Sequence, residues 1–148
     1  MFRLIFNKGV PSNILPPEAI TVEGQKVIID LSQNTIFKDE VKVWIPPIPS
    51  TGSMKPSFGA GNNNILIAPT TPEDQRRLAQ WLWAETLRGK DNVAVYRNPA
   101  MYAIHRCIKT GYDRAGRWFK FRGDNNISSD HWKIRDHEIK WLSIGSIY

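Results

Sequence analysis

The sequence predicts a mostly β protein with one α-helix. Short apolar runs dominate the chain, and clusters of Gly, Pro, Asn and Asp separate them, as is typical of antiparallel sheets. One stretch, residues 72–88, instead carries apolar side chains near helical spacing. At 148 residues, the chain fits a single domain that can bury a sizeable core.

The first forty residues predict β structure. Residues 2–6 are a short apolar run, and residues 19–22 and 25–30 flank the dipeptide Glu23-Gly24. A two-residue turn that contains glycine favours a β-hairpin. Further along the chain, strands are expected at residues 41–45, 65–68 and 93–96.

The helix has a well-marked beginning and end. Thr71 is a good N-cap, Pro72 suits the first helical position, and Glu73 and Asp74 complement the helix dipole. Gly89 then ends the helix.

A second hairpin follows the helix. Residues 102–109 and 117–122 should pair around a turn at residues 111–116. Antiparallel pairing would set His105 opposite the end of the second strand, near residues 122–124. Two short strands, around residues 138–142 and 145–147, are expected to complete the sheet.

The charge balance is mildly basic. The chain has 20 Lys+Arg against 14 Asp+Glu, a net charge of +6. The sequence lacks the motifs of nucleic-acid-binding domains, so a nucleic-acid partner is not expected. The single cysteine excludes an intramolecular disulfide, and the three histidines lack metal-ligand spacing, so we expect neither a metal nor another cofactor.

No apolar stretch approaches the length of a membrane span, and the N-terminus lacks the pattern of a signal peptide. These features predict a soluble chain that is cytoplasmic or virion-associated.

The segment at residues 49–56, Pro-Ser-Thr-Gly-Ser-Met-Lys-Pro, is unusual for a loop that only connects strands. Gly52 permits a sharp turn that exposes the hydroxyl of Ser53, and Pro56 delays the next strand. A serine hydroxyl needs a base within hydrogen-bond reach to act as a nucleophile. A plain Ser/Gly/Pro turn is the alternative.

Three boxes occur in a fixed order: Gly-Ser-Met-x-Pro at residues 52–56, Ile-His-Arg at 104–106, and Gly-Asp-Asn-Asn at 123–126 with Asp130 beyond it. Together they resemble signal peptidase I, in the branch that uses histidine where the commoner bacterial branch uses lysine. Residues 91–96 also resemble a strand of that family. The resemblance covers roughly residues 41–130.

The resemblance implies a partly open antiparallel β fold and a serine endopeptidase. Ser53 would attack a peptide carbonyl, His105 would take its proton, and Asp130 would orient the imidazole. Asp124 would organise its turn through backbone hydrogen bonds, with Asn125 in support. Gly52 would shape the serine turn, and Met54 would pack behind the nucleophile.

The backbone N–H of Ser53 would stabilise the oxyanion, with a hydroxyl from Ser50 or Thr51. The family prefers small side chains before the cut, and apolar strands around Ile48 and Val95 could line such a pocket.

Alternative assignments remain for several site residues. Asp124 could replace Asp130 as the triad acid. Cys107 lies on the same strand face as His105 and is a conceivable thiol nucleophile, although a buried, inert cysteine is favoured. Lys55 is discounted as a base because it lies two residues from Ser53 in the same turn. His131 and His137 are expected at the surface.

The main hypothesis is a soluble endopeptidase, phage- or plasmid-borne, that acts on a polypeptide substrate. Residues 1–40 would form an N-terminal β extension, residues 41–130 the catalytic core, and residues 131–148 C-terminal strands. The alternative is a scaffold or virion component with the same β fold and no proteolysis. A self-cleaving regulator is a third hypothesis. Trp81 and Trp83 on the helix are expected to pack internally, with a protein-partner surface as the alternative.

Overall fold

The computed structural model describes residues 4–5, 14–24, 26–47, 51–55 and 63–147. In order, its elements are β1 (Leu4–Ile5), β2 (Ile20–Glu23), β3 (Lys26–Ile29), β4 (Val41–Trp44), β5 (Asn63–Pro69), α1 (Pro72–Leu87), β6 (Val93–Arg97), β7 (Tyr102–Asp113), β8 (Gly116–Arg122) and β9 (Ile139–Ile147). The prediction of a mostly β protein with one helix is confirmed.

Seven strands form one antiparallel sheet in the order β4-β5-β9-β6-β7-β8, with β1 pairing additionally with β9. Strands β2 and β3 form a separate antiparallel hairpin, as predicted. The main sheet is open within the described residues, because β4 and β8 end the path without pairing with each other. The C-terminal β9 lies in the middle of the sheet, between β5 and β6.

Helix α1 begins and ends as the sequence indicates. The Thr71 side chain accepts a hydrogen bond from the Asp74 N–H, Pro72 opens the helix, and Gly89 follows it with φ 78°. In the described part of the chain, no helix has the length and apolarity needed to cross a membrane.

Two strand predictions at the C-terminal side are wrong in detail. Strand β7 ends at Asp113 and β8 begins at Gly116, so the turn of this hairpin is much shorter than the predicted loop at residues 111–116. The two short strands expected near the C-terminus are one strand, β9, whose register against β5 shifts between Ile65 and Leu66. An irregularity of this kind bends a strand without ending it.

The core lies between one face of the sheet and α1. Leu78, Ala79 and Leu82 of the helix pack with Tyr96 and Phe121 of the sheet, all of them buried. The N-terminal region also contributes to this core through buried side chains, namely Ile14, Leu15, Ala19, Ile36 and Phe37. The division of the chain into extension, catalytic core and C-terminal strands stays a prediction.

Candidate active site

Three side chains form a continuous chain of contacts. The Oγ of Ser53 lies 3.1 Å from Nε2 of His105, and Nδ1 of His105 lies 2.6 Å from Oδ2 of Asp130. Both separations are hydrogen-bond distances. The structure therefore brings together the serine, the histidine and the later aspartate that the sequence singled out.

The serine lies in a tight turn between β4 and β5. Gly52 has φ 73°, a left-handed conformation that favours glycine, and its carbonyl accepts from the Lys55 N–H at 3.2 Å. Met54 is buried and packs with Val93 and Ile104. This packing anchors the turn to the sheet, so that Ser53 can reach His105. Pro56, which was expected to delay the next strand, lies outside the described residues.

The histidine is held within the sheet. His105 pairs with Ala94 of β6, and the next residue, Arg106, pairs with Arg122 at the end of β8. The loop that leaves β8 therefore starts beside His105, as the predicted hairpin requires.

Asp130 is fixed at the end of that loop. Its N–H donates to the Phe121 carbonyl at 2.8 Å, and Nζ of Lys120 donates to the Asp130 carbonyl at 3.1 Å. The side chains of His105 and Asp130 are each 14% exposed. They are largely shielded from water, and Ser53 is half-buried.

Tyr96 is a site residue that the sequence reasoning missed. Its hydroxyl donates to Oδ2 of Asp130, the same oxygen that contacts His105. Its ring is buried and stacks on Phe121 at 4.4 Å between centroids. Burial, and then the hydrogen bond to Asp130, raise the pKa of Tyr96 well above its ordinary value, so the hydroxyl stays a donor.

Asp124 occupies a different position. Its two oxygens accept from Nε and Nη2 of Arg106, each at 2.8 Å, and Nη1 of Arg106 donates to the Asp91 carbonyl at 2.7 Å. This bidentate pair ties the loop to β7. Asp130, and not Asp124, is thus the carboxylate beside His105. Asp124 holds its turn through the side chain of Arg106, whereas the sequence predicted backbone hydrogen bonds for this role.

The loop also contacts the backbone of the serine. The N–H of Asn125 donates to the Ser53 carbonyl at 2.8 Å. A Cβ added at Gly123 would lie 2.6 Å from that same carbonyl oxygen. Gly123 has no positive φ, so glycine is required here for close approach.

Of the two hydroxyl groups expected to stabilise an oxyanion, one lies among the described residues. The Thr51 hydroxyl lies 3.4 Å from Oγ of Ser53, whereas Ser50 lies outside the described residues. Within the described part of the chain, the Ser53 N–H donates to no backbone carbonyl.

A cavity of about 160 Å³ lies next to the site. Val95 and Ile104 contribute to its wall, together with Trp44 and Leu66. Ile104 also packs with Met54, the residue after Ser53, so the cavity adjoins the turn that carries Ser53. Ile48, the other residue expected to line a pocket, lies outside the described residues.

The other reactive side chains lie apart from this chain of contacts. Cys107 is buried, accepts a hydrogen bond from the Thr86 hydroxyl at 3.4 Å, and has its pKa raised to about 12 by desolvation. A thiol of this kind is an inert packing residue. His131 and His137 are exposed, as predicted. No three His, Cys, Asp or Glu side chains within the described residues form a group that could hold a metal ion.

The helix tryptophans are half-buried. Trp81 and Trp83 pack against the core, and Nε1 of Trp83 donates to the Gly111 carbonyl at 3.3 Å. Internal packing therefore buries much of the surface of both side chains. A protein-partner surface on the helix stays a prediction.

Comparison with protein-family models, with curated proteins and with solved structures finds no match to this chain.

Proposed function

We propose that the protein is a serine endopeptidase of signal-peptidase type, with Ser53 as nucleophile, His105 as general base and Asp130 as its orienting acid. The observation that carries the proposal is the pair of contacts at His105, 3.1 Å to Ser53 and 2.6 Å to Asp130. A scaffold without catalysis has no need of these side chains in hydrogen-bond contact.

In the proposed reaction, Nε2 of His105 accepts the hydroxyl proton as Oγ of Ser53 bonds to the scissile carbonyl carbon. Asp130 holds the proton on Nδ1 and stabilises the imidazolium. The imidazolium then protonates the leaving amine as the C–N bond breaks. Water then attacks the resulting ester while His105 takes its proton. His105 returns that proton to Oγ of Ser53 as the C–Oγ bond breaks, which releases the acid and regenerates the serine.

Charge on the tetrahedral intermediate needs donors near the nucleophile. We expect the N–H of Ser53 as one such donor and the Thr51 hydroxyl, 3.4 Å from Oγ of Ser53, as the second. Both belong to the turn that Gly52 shapes.

The substrate is expected to bind as an extended chain. Residues 102–105 of β7 pair with β6 on one side, whereas β8 pairs only from Arg106 onward, so their other edge has no partner strand among the described residues. An extended peptide can add to such an edge and run toward His105. The 160 Å³ apolar cavity then accepts a small side chain beside the cut, which agrees with the preference that the resemblance implies.

The test is cleavage of a proteome-derived peptide library, with products identified by mass spectrometry. Ser53→Ala and His105→Ala should each reduce cleavage at least about 10³-fold while circular dichroism stays unchanged, because each removes a group that acts in bond breaking. Ser128→Ala is the matched control. Ser128 is an exposed serine in the loop that carries Asp130, and this variant should cleave normally. Equal cleavage by wild type and Ser53→Ala would overturn the proposal.

A further inference from the structure

A second, larger cavity continues the first one along the sheet. It has a volume of about 440 Å³, and Trp44, Val95 and Tyr102 line both cavities. A peptide that places one side chain in the small cavity can therefore place neighbouring residues in the larger one. We call the larger cavity the distal groove; its chemistry is set by Lys42, Trp44, Tyr102, Lys140 and Trp141.

The walls of the distal groove are aromatic and partly open to water. Trp44 is 51% exposed and Tyr102 is 58% exposed. The rings of Trp44 and Trp141 are 5.6 Å apart between centroids. Exposed aromatic side chains that line one concave surface are typical of binding sites, since they bury a large area with little loss of conformational freedom.

The charge of the distal groove has one sign. Lys42 and Lys140 line it, and no Asp or Glu does so among the described residues. Arg97 lies at its rim, with Cζ 5.7 Å from the Tyr102 ring centroid. In the described part of the chain, none of these three cations forms an ion pair with a carboxylate.

The positions of the cations are partly fixed. Nζ of Lys140 donates to the His137 carbonyl at 2.8 Å, which leaves two of its three protons for a ligand. Gln75, at the groove wall, donates to the Asp136 and Ile139 carbonyls, each at 2.8 Å. The groove therefore offers cationic hydrogen-bond donors, and the wall beside them is held in place by hydrogen bonds to backbone carbonyls.

We propose that the distal groove binds an acidic segment of the substrate polypeptide, with Asp or Glu carboxylates on Lys42, Lys140 and Arg97 and apolar side chains on the aromatic wall. The inference rests on the proposed function for the identity of the ligand. Strand β9, which carries Trp141, lies two strands from β7, and β4, which carries Lys42, lies four strands away. A peptide that leaves the edge of β7 and crosses the face of the sheet, at about 4.8 Å between strands and 3.3 Å per extended residue, reaches these strands about three to six residues from the cleavage site.

The cleavage experiment compares the double charge reversal Lys42→Glu/Lys140→Glu with the control Lys26→Glu/Lys109→Glu. The control changes net charge equally at two exposed lysines outside the groove. Wild type and control should select Asp and Glu on one side of the cut, about three to six residues away. The groove variant should lose this selection and cut an acidic peptide about tenfold more slowly, with the small-residue preference at the cut unchanged.

A binding experiment decides the inference separately from catalysis. Ser53→Ala protein is titrated with a decapeptide of alternating Glu and Leu, and with its Lys-Leu counterpart, while tryptophan fluorescence is followed. The Glu peptide should bind at least about fivefold more tightly, and Lys42→Glu/Lys140→Glu should abolish the difference.

The outcomes separate the two proposals. Absence of Ser53-dependent cleavage overturns the proposed function, and the titration still decides the groove. Cleavage without acidic selection, or equal binding of the two peptides, overturns the groove inference. Lysine-dependent binding to phosphatidylserine vesicles without any peptide preference also overturns it and assigns the surface to a membrane.

Discussion

One carboxylate oxygen, Oδ2 of Asp130, contacts two partners, the imidazole of His105 and the hydroxyl of Tyr96. The second hydrogen bond withdraws charge from the carboxylate and fixes its rotation. In the proposed mechanism, Tyr96 is therefore a positioning residue that acts through Asp130.

We expect Tyr96→Phe to reduce kcat about tenfold and to leave KM within about twofold. Without the hydroxyl, the Asp130 carboxylate can rotate away from His105, so the imidazole is oriented less often while peptide binding is unaffected. Tyr112→Phe, at a residue 74% exposed, is the control and should leave both constants unchanged. A wild-type kcat in Tyr96→Phe, or a rise in KM alone, would contradict this role.

Gly123 is a second position at which a change of one atom, an added Cβ, is expected to disturb the site. We expect Gly123→Ala to lower kcat/KM by about 10²-fold, because its Cβ would lie 2.6 Å from the Ser53 carbonyl oxygen and 2.7 Å from Nδ2 of Asn126. The side chain of Asn126 can rotate, whereas the carbonyl can move only with the nucleophile. Steady-state kinetics measures the effect, Ser129→Ala in the same loop is the control, and wild-type activity in Gly123→Ala would contradict this account.

At the scale of elements, the start of α1 organises the segment before β4. The Asp74 carboxylate is fully buried and accepts from the N–H groups of Lys38 and Asp39 and from Arg77. Burial alone would raise the pKa of Asp74, but these hydrogen bonds and the charge of Arg77 outweigh burial and hold the pKa below its ordinary value.

We expect Asp74→Asn to lower the free energy of unfolding by about 2–3 kcal/mol at pH 7, because the amide keeps one acceptor oxygen and turns its NH2 donor toward either the second backbone N–H or Arg77. The wild-type contribution of Asp74 is complete above about pH 4 and is lost as the pH falls through the lowered folded pKa. Urea unfolding should therefore show a smaller difference in unfolding free energy between wild type and Asp74→Asn at pH 2.5 than at pH 7. Glu73→Gln, whose side chain is 61% exposed, should change stability by less than about 0.5 kcal/mol.

The sequence predicted most elements because their signals are local. Thr71, Pro72 and Gly89 mark α1, and the strands follow short apolar runs. The C-terminal strand was divided wrongly because Ser143 and Gly145 suggest a break, whereas pairing with β5 absorbs the irregularity as a shift of register. The β7–β8 turn was placed too early because Gly111 lies within a strand, opposite Trp118.

The site was predictable where chemistry depends on residue type and order. Ser53, His105 and Asp130 were named, and the structure places them in contact. Tyr96 was not named, because a tyrosine in an apolar strand has the same pattern as any core aromatic. The requirement at Gly123 arises from a contact between segments far apart in sequence, which no local pattern reveals.

At the scale of the whole molecule, the buried thiol of Cys107 reports on the integrity of the core. Cys107 lies in β7, is completely buried and contacts Thr86 of α1. This burial and the thiol pKa of about 12 should protect Cys107 from thiol reagents in the folded protein. We expect labelling by dithionitrobenzoate to begin only as urea unfolds the chain, in step with loss of circular dichroism. Rapid labelling of folded protein would contradict this picture of the core.

Cys107→Ala is the companion experiment for mechanism. It should keep Ser53-dependent cleavage within about twofold and cost about 1 kcal/mol of stability, since it removes one buried sulfur atom. Loss of cleavage in a folded Cys107→Ala protein, measured on the same peptides, would revive the thiol as nucleophile.

The hydrogen bond from the Asn125 N–H to the Ser53 carbonyl gives the molecule an internal reporter. It joins the turn that carries the nucleophile to the loop that carries the acid, so its proton is protected only while the two are in register. The exchange rate and amide shift of Asn125 in a nuclear magnetic resonance spectrum would therefore give the fraction of molecules whose site is assembled. That fraction could be followed in the inactive Ser53→Ala protein, with each added peptide, before any substrate is known.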